Sequence, residues 1–111
     1  RLHPTAQAQV SHRESCLGGP APIVAASDYV RAWPQLIAAY LEAPFTALGT
    51  DGFGRSDTRA ALRGFFEVDR YHVVVAALAA LAKKGKIARE IVADAIARYG
   101  IAVEPAPPWE R

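Results

Sequence analysis

The sequence has 111 residues, 51% hydrophobic and 22% charged, the balance of one soluble globular domain rather than a disordered or fibrous chain. Thirteen lysines and arginines against 11 acidic residues leave a net charge of +2, and Asp51, Asp57 and Glu67 interleave with Arg55, Arg59 and Arg63, so no nucleic-acid surface is expected. No apolar run reaches the roughly 18 residues of a membrane span, and the lone Cys16 excludes an internal disulfide, which suits a reducing cytoplasm.

Residues 1–22 are polar or small, carry Pro4, Gly18, Gly19, Pro20 and Pro22, and show no apolar periodicity, so an extended arm or linker is expected. The sequence begins with Arg1, not methionine, and nothing beside it reads as a signal peptide, which predicts an excised or truncated piece. Ile23-Val24-Ala25-Ala26 follows a proline-rich breaker and precedes Ser27-Asp28, the pattern of a buried strand running into a helix cap.

Residues 29–41 carry Val30, Trp33, Leu36, Ile37, Tyr40 and Leu41 at helical spacing, which predicts one buried stripe, kinked or restarted at Pro34 because proline removes a backbone donor. Pro44 closes that segment, and residues 45–48 read as a second buried strand. The glycine-rich turn 49–54 follows. Ser56 or Asp57 is placed to cap a third helix, with Ala61, Leu62, Phe65 and Phe66 on one face and Arg59 and Arg63 on the other.

Asp69 is placed to cap a helix over 70–84. His72-Val73-Val74-Val75 alone favours a strand, but the run continues through alanines and leucines to Lys83-Lys84-Gly85, a helix ending. Apolar nearly all round, this helix is expected to be the most buried element. Residues 88–99 form a surface helix with Ile91, Val92, Ala95, Ile96 and Tyr99 on one stripe, Asp94 paired with Arg98, and Gly100 at its end. Pro105, Pro107 and Pro108 make residues 102–111 an irregular tail. Strand, helix, strand and three further helices imply an α/β fold with a short, mainly parallel sheet over residues 23–101.

The turn Leu48-Gly49-Thr50-Asp51-Gly52-Phe53-Gly54-Arg55-Ser56-Asp57-Thr58-Arg59 and the run Phe66-Glu67-Val68-Asp69-Arg70-Tyr71-His72-Val73-Val74-Val75-Ala76-Ala77-Leu78 closely resemble the last part of bacterial homodimeric pyruvate dehydrogenases. Arg1-Leu2-His3-Pro4-Thr5 and Val24-Ala25-Ala26-Ser27-Asp28-Tyr29 are similar to the same family in the same order. The resemblance implies a transketolase-like C-terminal domain, the third domain of a homodimeric, cytoplasmic enzyme that uses thiamine diphosphate and magnesium to decarboxylate pyruvate. That enzyme passes the acetyl group to a lipoyl carrier and works beside an acetyltransferase component. In the family the earlier domains hold the cofactor and the third mostly supports the dimer. The family fold also places further strands before the position of Arg1, so one sheet edge of this chain is expected to be unpaired and to draw self-association or rearrangement.

Turn 49–54 is neither the dinucleotide G-x-G-x-x-G nor a P-loop. Asp51-Gly52 is similar to the opening of the thiamine-diphosphate motif, but that motif needs a downstream asparagine to ligate magnesium and this sequence contains none. No catalytic, cofactor-binding or metal-binding residue is therefore expected in the chain itself. The turn's glycines serve backbone conformation, and Asp51, Gly52, Gly54, Arg55 and Ser56 are candidates for interdomain or anion contact. Arg55, at the carboxyl end of a strand, is placed to reach a neighbouring domain. His12 and Cys16, four apart, make only two metal donors, His72 reads as a hydrogen-bonded core or interface histidine, and Trp33, Phe53, Phe65, Phe66 and Tyr71 read as core or dimer aromatics. Two functions result: a non-catalytic, dimer-supporting piece of the enzyme, or a free-standing small domain that binds an anionic ligand or partner at turn 49–57.

Overall fold

β-Branched and small residues bounded by proline-rich breakers make two strands, β1 (Ile23–Ala26) and β2 (Phe45–Leu48), in a computed structural model that describes residues 2–107 and 110. Both occupy the positions read from the sequence. They pair in parallel, Ile23 opposite Phe45 and Ala26 opposite Leu48. The Ile23 N–H donates to Pro44 O at 2.8 Å and the Ser27 N–H to Leu48 O at 3.0 Å. Because successive residues of a strand alternate their backbone groups, Val24 and Ala26 face the outer edge of β1, and Phe45 and Ala47 the outer edge of β2. Among the described residues no third strand pairs with either edge.

Parallel strands need a crossover, and residues 27–44 supply it in a broken form. The single kinked helix expected over 29–41 is replaced by one turn of α-helix, α2 (Ala32–Gln35), and a 3₁₀ turn at Ala38–Tyr40. The expected buried stripe is also overturned: Tyr29, Trp33, Leu36 and Tyr40 are 60–65% exposed. Pro34 sits inside α2, and with no side-chain cap at the start of either turn nothing local extends them.

At the carboxyl end of the sheet the two outgoing chains nearly touch. A Cβ on Gly49 would lie 2.5 Å from Tyr29 O and 2.8 Å from Arg31 N, so only glycine fits. The Thr50 N–H donates to Tyr29 O at 2.9 Å, and its hydroxyl to Asp28 O at 3.1 Å. Asp51 accepts from the Arg31 N–H at 2.9 Å and from Arg31 Nε at 2.5 Å. Partial burial opposes ionisation of Asp51, yet the Arg31 backbone and side-chain hydrogen bonds outweigh it and hold its pKa below the ordinary value.

α3 (Arg59–Phe65) is capped by Thr58, whose hydroxyl accepts from Ala61 N at 3.2 Å, and not by Ser56 or Asp57 as expected. Asp57 instead accepts from the adjacent Thr58 N–H at 2.7 Å. The helix ends in a Schellman turn: Val68 N donates to Arg63 O, Glu67 N donates to Gly64 O, and Glu67 takes a left-handed φ of 61°. Val68, the residue beyond it, is buried.

α4 (Arg70–Lys83) packs on β1, β2 and α5 (Arg89–Tyr99). Asp69 caps it, accepting from Tyr71 N and His72 N at 2.9 Å and meeting His72 Nδ1 at 2.8 Å. α4 is central and the most covered of the helices, although no residue in it is fully buried; the buried core among the described residues is Ala43 and Val68. α5 ends at Gly100, φ 64°, and the Tyr71 and Tyr99 rings lie 4.8 Å apart between the two helices. The expected Asp94–Arg98 pair does not form; the ion pairs among the described residues join Arg31 with Asp51, Arg63 with Asp28 and His72 with Asp69.

The arm of residues 1–22 is not wholly extended. α1 (His12–Leu17) opens with a capping box in which Glu14 N donates to Ser11 Oγ and Ser11 N to the Glu14 carboxylate. Residues 102–107 hold no helix or strand, as expected of the tail, whereas Arg1, Pro108, Trp109 and Arg111 lie outside the described residues.

The layers are thin. The radius of gyration is 17.1 Å, against about 13 Å for a compact domain of this length. The accessible surface is 8483 Å², against about 6,000 Å² for a compact monomer of this mass.

Two outcomes follow for folding. Asp69→Ala is expected to lower stability by about 1–2 kcal/mol, read from the urea midpoint, because two backbone donors lose their acceptor. Partial burial opposes ionisation of Asp69, but hydrogen bonds from His72 and Tyr71 outweigh it, so its folded pKa lies below the ordinary 3.8. Its contribution is complete above 3.8 and is lost as pH falls from there through the lower folded value; Asp69→Ala is expected to lose that part of the acid limb. Gly49→Ala is expected to cost about 1–3 kcal/mol in chemical denaturation, and an unchanged midpoint would contradict the close approach of the two loops.

Candidate functional site

Both strands point their carboxyl ends to one side of the sheet, where ligand crevices form in open α/β sheets. A cleft of about 460 Å³ lies there. Asp28 and Thr50, which follow the strands, line it together with Phe53 and Arg55 of the turn. Leu62, Phe66 and Val68 supply its apolar lining, and Arg59 and Arg63 line it from α3.

The charges are arranged unevenly. Arg63 meets Asp28 through a fork, Nε to Oδ1 at 3.2 Å and Nη2 to Oδ2 at 2.8 Å. The hydrogen bond to Arg63 holds the Asp28 carboxyl below its ordinary pKa, and the same bond raises that of Arg63. Both side chains are well exposed, so the pair orients the groups more than it stabilises the fold. Arg55 is held differently: its guanidinium stacks 4.4 Å from the centroid of Phe65, which itself packs edge-on against Phe66. Among the described residues neither Arg55 nor Arg59 has a carboxylate within ion-pair distance.

The candidate contact residues separate in space. Gly52, at φ 104°, turns the backbone into the cleft wall, and Gly54 and Arg55 line the cleft. Asp51 is turned to the Arg31 side as a structural acceptor. Ser56 is exposed and does not line the cleft. Asp28, Arg59, Arg63, Leu62 and Phe66 were not anticipated as site residues, although Asp28 stands two positions past β1, where a crevice residue is expected.

A thiamine diphosphate with its magnesium does not fit this turn. Both carboxylate oxygens of Asp51 already accept from Arg31, and no asparagine is available to join them. His72, in the first turn of α4, is partly buried and hydrogen-bonded to Asp69. His12 and Cys16 share one face of α1, with Sγ 3.6 Å from Nε2. Among the described residues no three His, Cys, Asp or Glu side chains gather into a metal-holding group, and no helix is long and apolar enough to cross a membrane.

The pattern of the transketolase-like TK C-terminal domain matches residues 4–69. The chain is similar to the pyruvate dehydrogenase E1 component of Pseudomonas aeruginosa, 49% identical over 99% of this chain and 13% of the relative. It is similar also to that of Cupriavidus necator, at 50% over 90% of this chain and 11% of the relative. With the Escherichia coli K12 component the identity is 44% over 96% of this chain and 12% of the relative. The chain thus spans between 11% and 13% of the length of these relatives. The family pattern takes in β1, β2, the glycine-rich turn and the whole of α3, more than half of the sequence, and the chain belongs to the transketolase-like C-terminal domain family.

Proposed function

We propose that the chain is the C-terminal domain of a longer pyruvate dehydrogenase E1-type enzyme, one that decarboxylates pyruvate with thiamine diphosphate and magnesium and transfers the acetyl group to lipoamide. Its own share is structural: it supplies no catalytic group or cofactor ligand and packs against other domains of the same enzyme and across a homodimer. The acetyltransferase component of the complex is a partner of the whole enzyme, in the cytoplasm, and neither nucleic acid nor membrane is a partner of this domain.

The observation that carries this reading is the surface left uncovered. The excess over a compact monomer is about 2,500 Å², which is the scale of a permanent interface. Part of it lies on the broken crossover, where Tyr29, Trp33, Leu36 and Tyr40 are mostly exposed and the Tyr29 and Trp33 rings lie 6.3 Å apart. Among the described residues no third strand pairs with either outer edge of the sheet, which leaves strand edges to offer a partner.

Calorimetry on the 111-residue chain with thiamine diphosphate and magnesium is expected to show no saturable heat, and pyruvate no turnover; one-to-one binding would overturn the structural role. In sedimentation the same chain is expected to associate with rising concentration, and Trp33→Asp combined with Leu36→Asp to reduce that association. A monomer at every concentration with strong amide protection in both strands would contradict it.

A further inference from the structure

The structure carries an arrangement in the cleft that packing against a neighbour does not require. Three arginines and two aspartates line it, but only one arginine is neutralised by contact: Arg63 and Asp28 satisfy each other, while Asp57 accepts from Thr58 N. Arg55 and Arg59 remain, each with a planar fork of N–H donors that no carboxylate of the described residues occupies. Arg55 is not loosely placed, because Phe65 holds the face of its guanidinium and leaves the edge for an acceptor.

From this we infer that the cleft binds a small phosphomonoester carrying a flat apolar body, with Arg55 and Arg59 on the phosphate and the apolar body against Leu62, Phe66 and the exposed Phe53. A phosphate dianion offers three acceptor oxygens and so satisfies two guanidinium forks; a carboxylate, with two oxygens, satisfies one. Arg63 is already satisfied by Asp28, so the phosphate falls to Arg55 and Arg59, the cleft arginines that no carboxylate of the described residues meets within ion-pair distance. The cleft volume falls in the range of small-molecule sites, and its position past the carboxyl ends of parallel strands is where such sites form. The inference rests on the cleft alone and is independent of the parent enzyme's activity.

The test uses phenyl phosphate, inorganic phosphate, benzoate and phenol with the 111-residue chain, by amide NMR titration and by equilibrium dialysis, the latter insensitive to self-association. Phenyl phosphate is expected to shift the amides of residues 52–68 saturably and to bind at least about tenfold more tightly than each of the other three probes. Arg55→Gln and Arg59→Gln are each expected to weaken phenyl phosphate about fivefold or more without altering phenol, and Arg55→Lys to weaken it also, since the charge stays but the fork is lost. Ser56→Ala is expected to change nothing. Unmoved amides of β1 and α4 in each variant separate lost binding from lost fold. Equal affinity for inorganic phosphate or benzoate, or phenyl phosphate binding indifferent to both arginine substitutions, would overturn the assignment.

Discussion

A single carboxylate joins the two halves of the sheet's carboxyl end. Asp51, just past β2, accepts from the backbone N–H and the guanidinium of Arg31, in the crossover that leaves β1. A pair of four-residue parallel strands has too few ladder bonds to set the course of the chains beyond it, and no third strand among the described residues braces them. The bond to the Arg31 N–H matters more than the charge pair itself, because half of the Arg31 side chain is in water and its Coulomb attraction is screened. The close approach at Gly49 is a consequence of this link: the loops can be tied only if nothing larger than hydrogen stands between them. Turn 49–54, and with it Arg55 and the cleft, takes its place from that tie.

The rest of the architecture is economical to the point of incompleteness. One helix, α4, covers the strands and is itself covered by α5, and neither has a fully buried residue. Apolar burial is the main favourable term in folding, and four large apolar side chains of the crossover add little to it, being mostly in water. Stability within the chain then leans on local devices: the Ser11–Glu14 box, the Asp69 cap and the turn at Glu67. Such devices act over a few residues and hold each helix without needing a deep core.

Around the cleft, geometry has sorted charges that look equivalent along the chain. Arg55, Arg59 and Arg63 form an even ladder in the sequence, but one stacks on a ring, one is paired with Asp28 and one stands open at the first turn of α3. Asp51 and Asp57 are likewise diverted to backbone donors. The glycine-rich turn leads from β2 toward α3, with Arg55 just beyond it and Arg59 and Arg63 on the helix.

Much of this was legible in the sequence. The strands showed as short apolar runs between breakers, α4 as a long apolar stretch with Asp69 before it and Lys83-Lys84-Gly85 behind it, and α5 as a stripe stopped by Gly100, because caps and periodicity act within one or two turns. The S-x-x-E box of Ser11 and Glu14 was equally present but hidden by a segment otherwise rich in breakers. Ser56, Asp57 and Thr58 are three consecutive cap-forming residues, and the choice of Thr58 depends on where the turn lets α3 begin. Helical spacing in residues 29–41 described a face without a partner, so the pattern did not become a helix. By itself, then, the sequence determined both strands, the helices α3 to α5 with most of their ends, and the family, since these follow from local backbone preference and motif order. Only the tertiary structure decided that Arg31 meets Asp51 across 20 positions and Arg63 meets Asp28 across 35, because those contacts join segments, the crossover, the turn and α3, that lie far apart in the chain and meet at the carboxyl end of the paired strands.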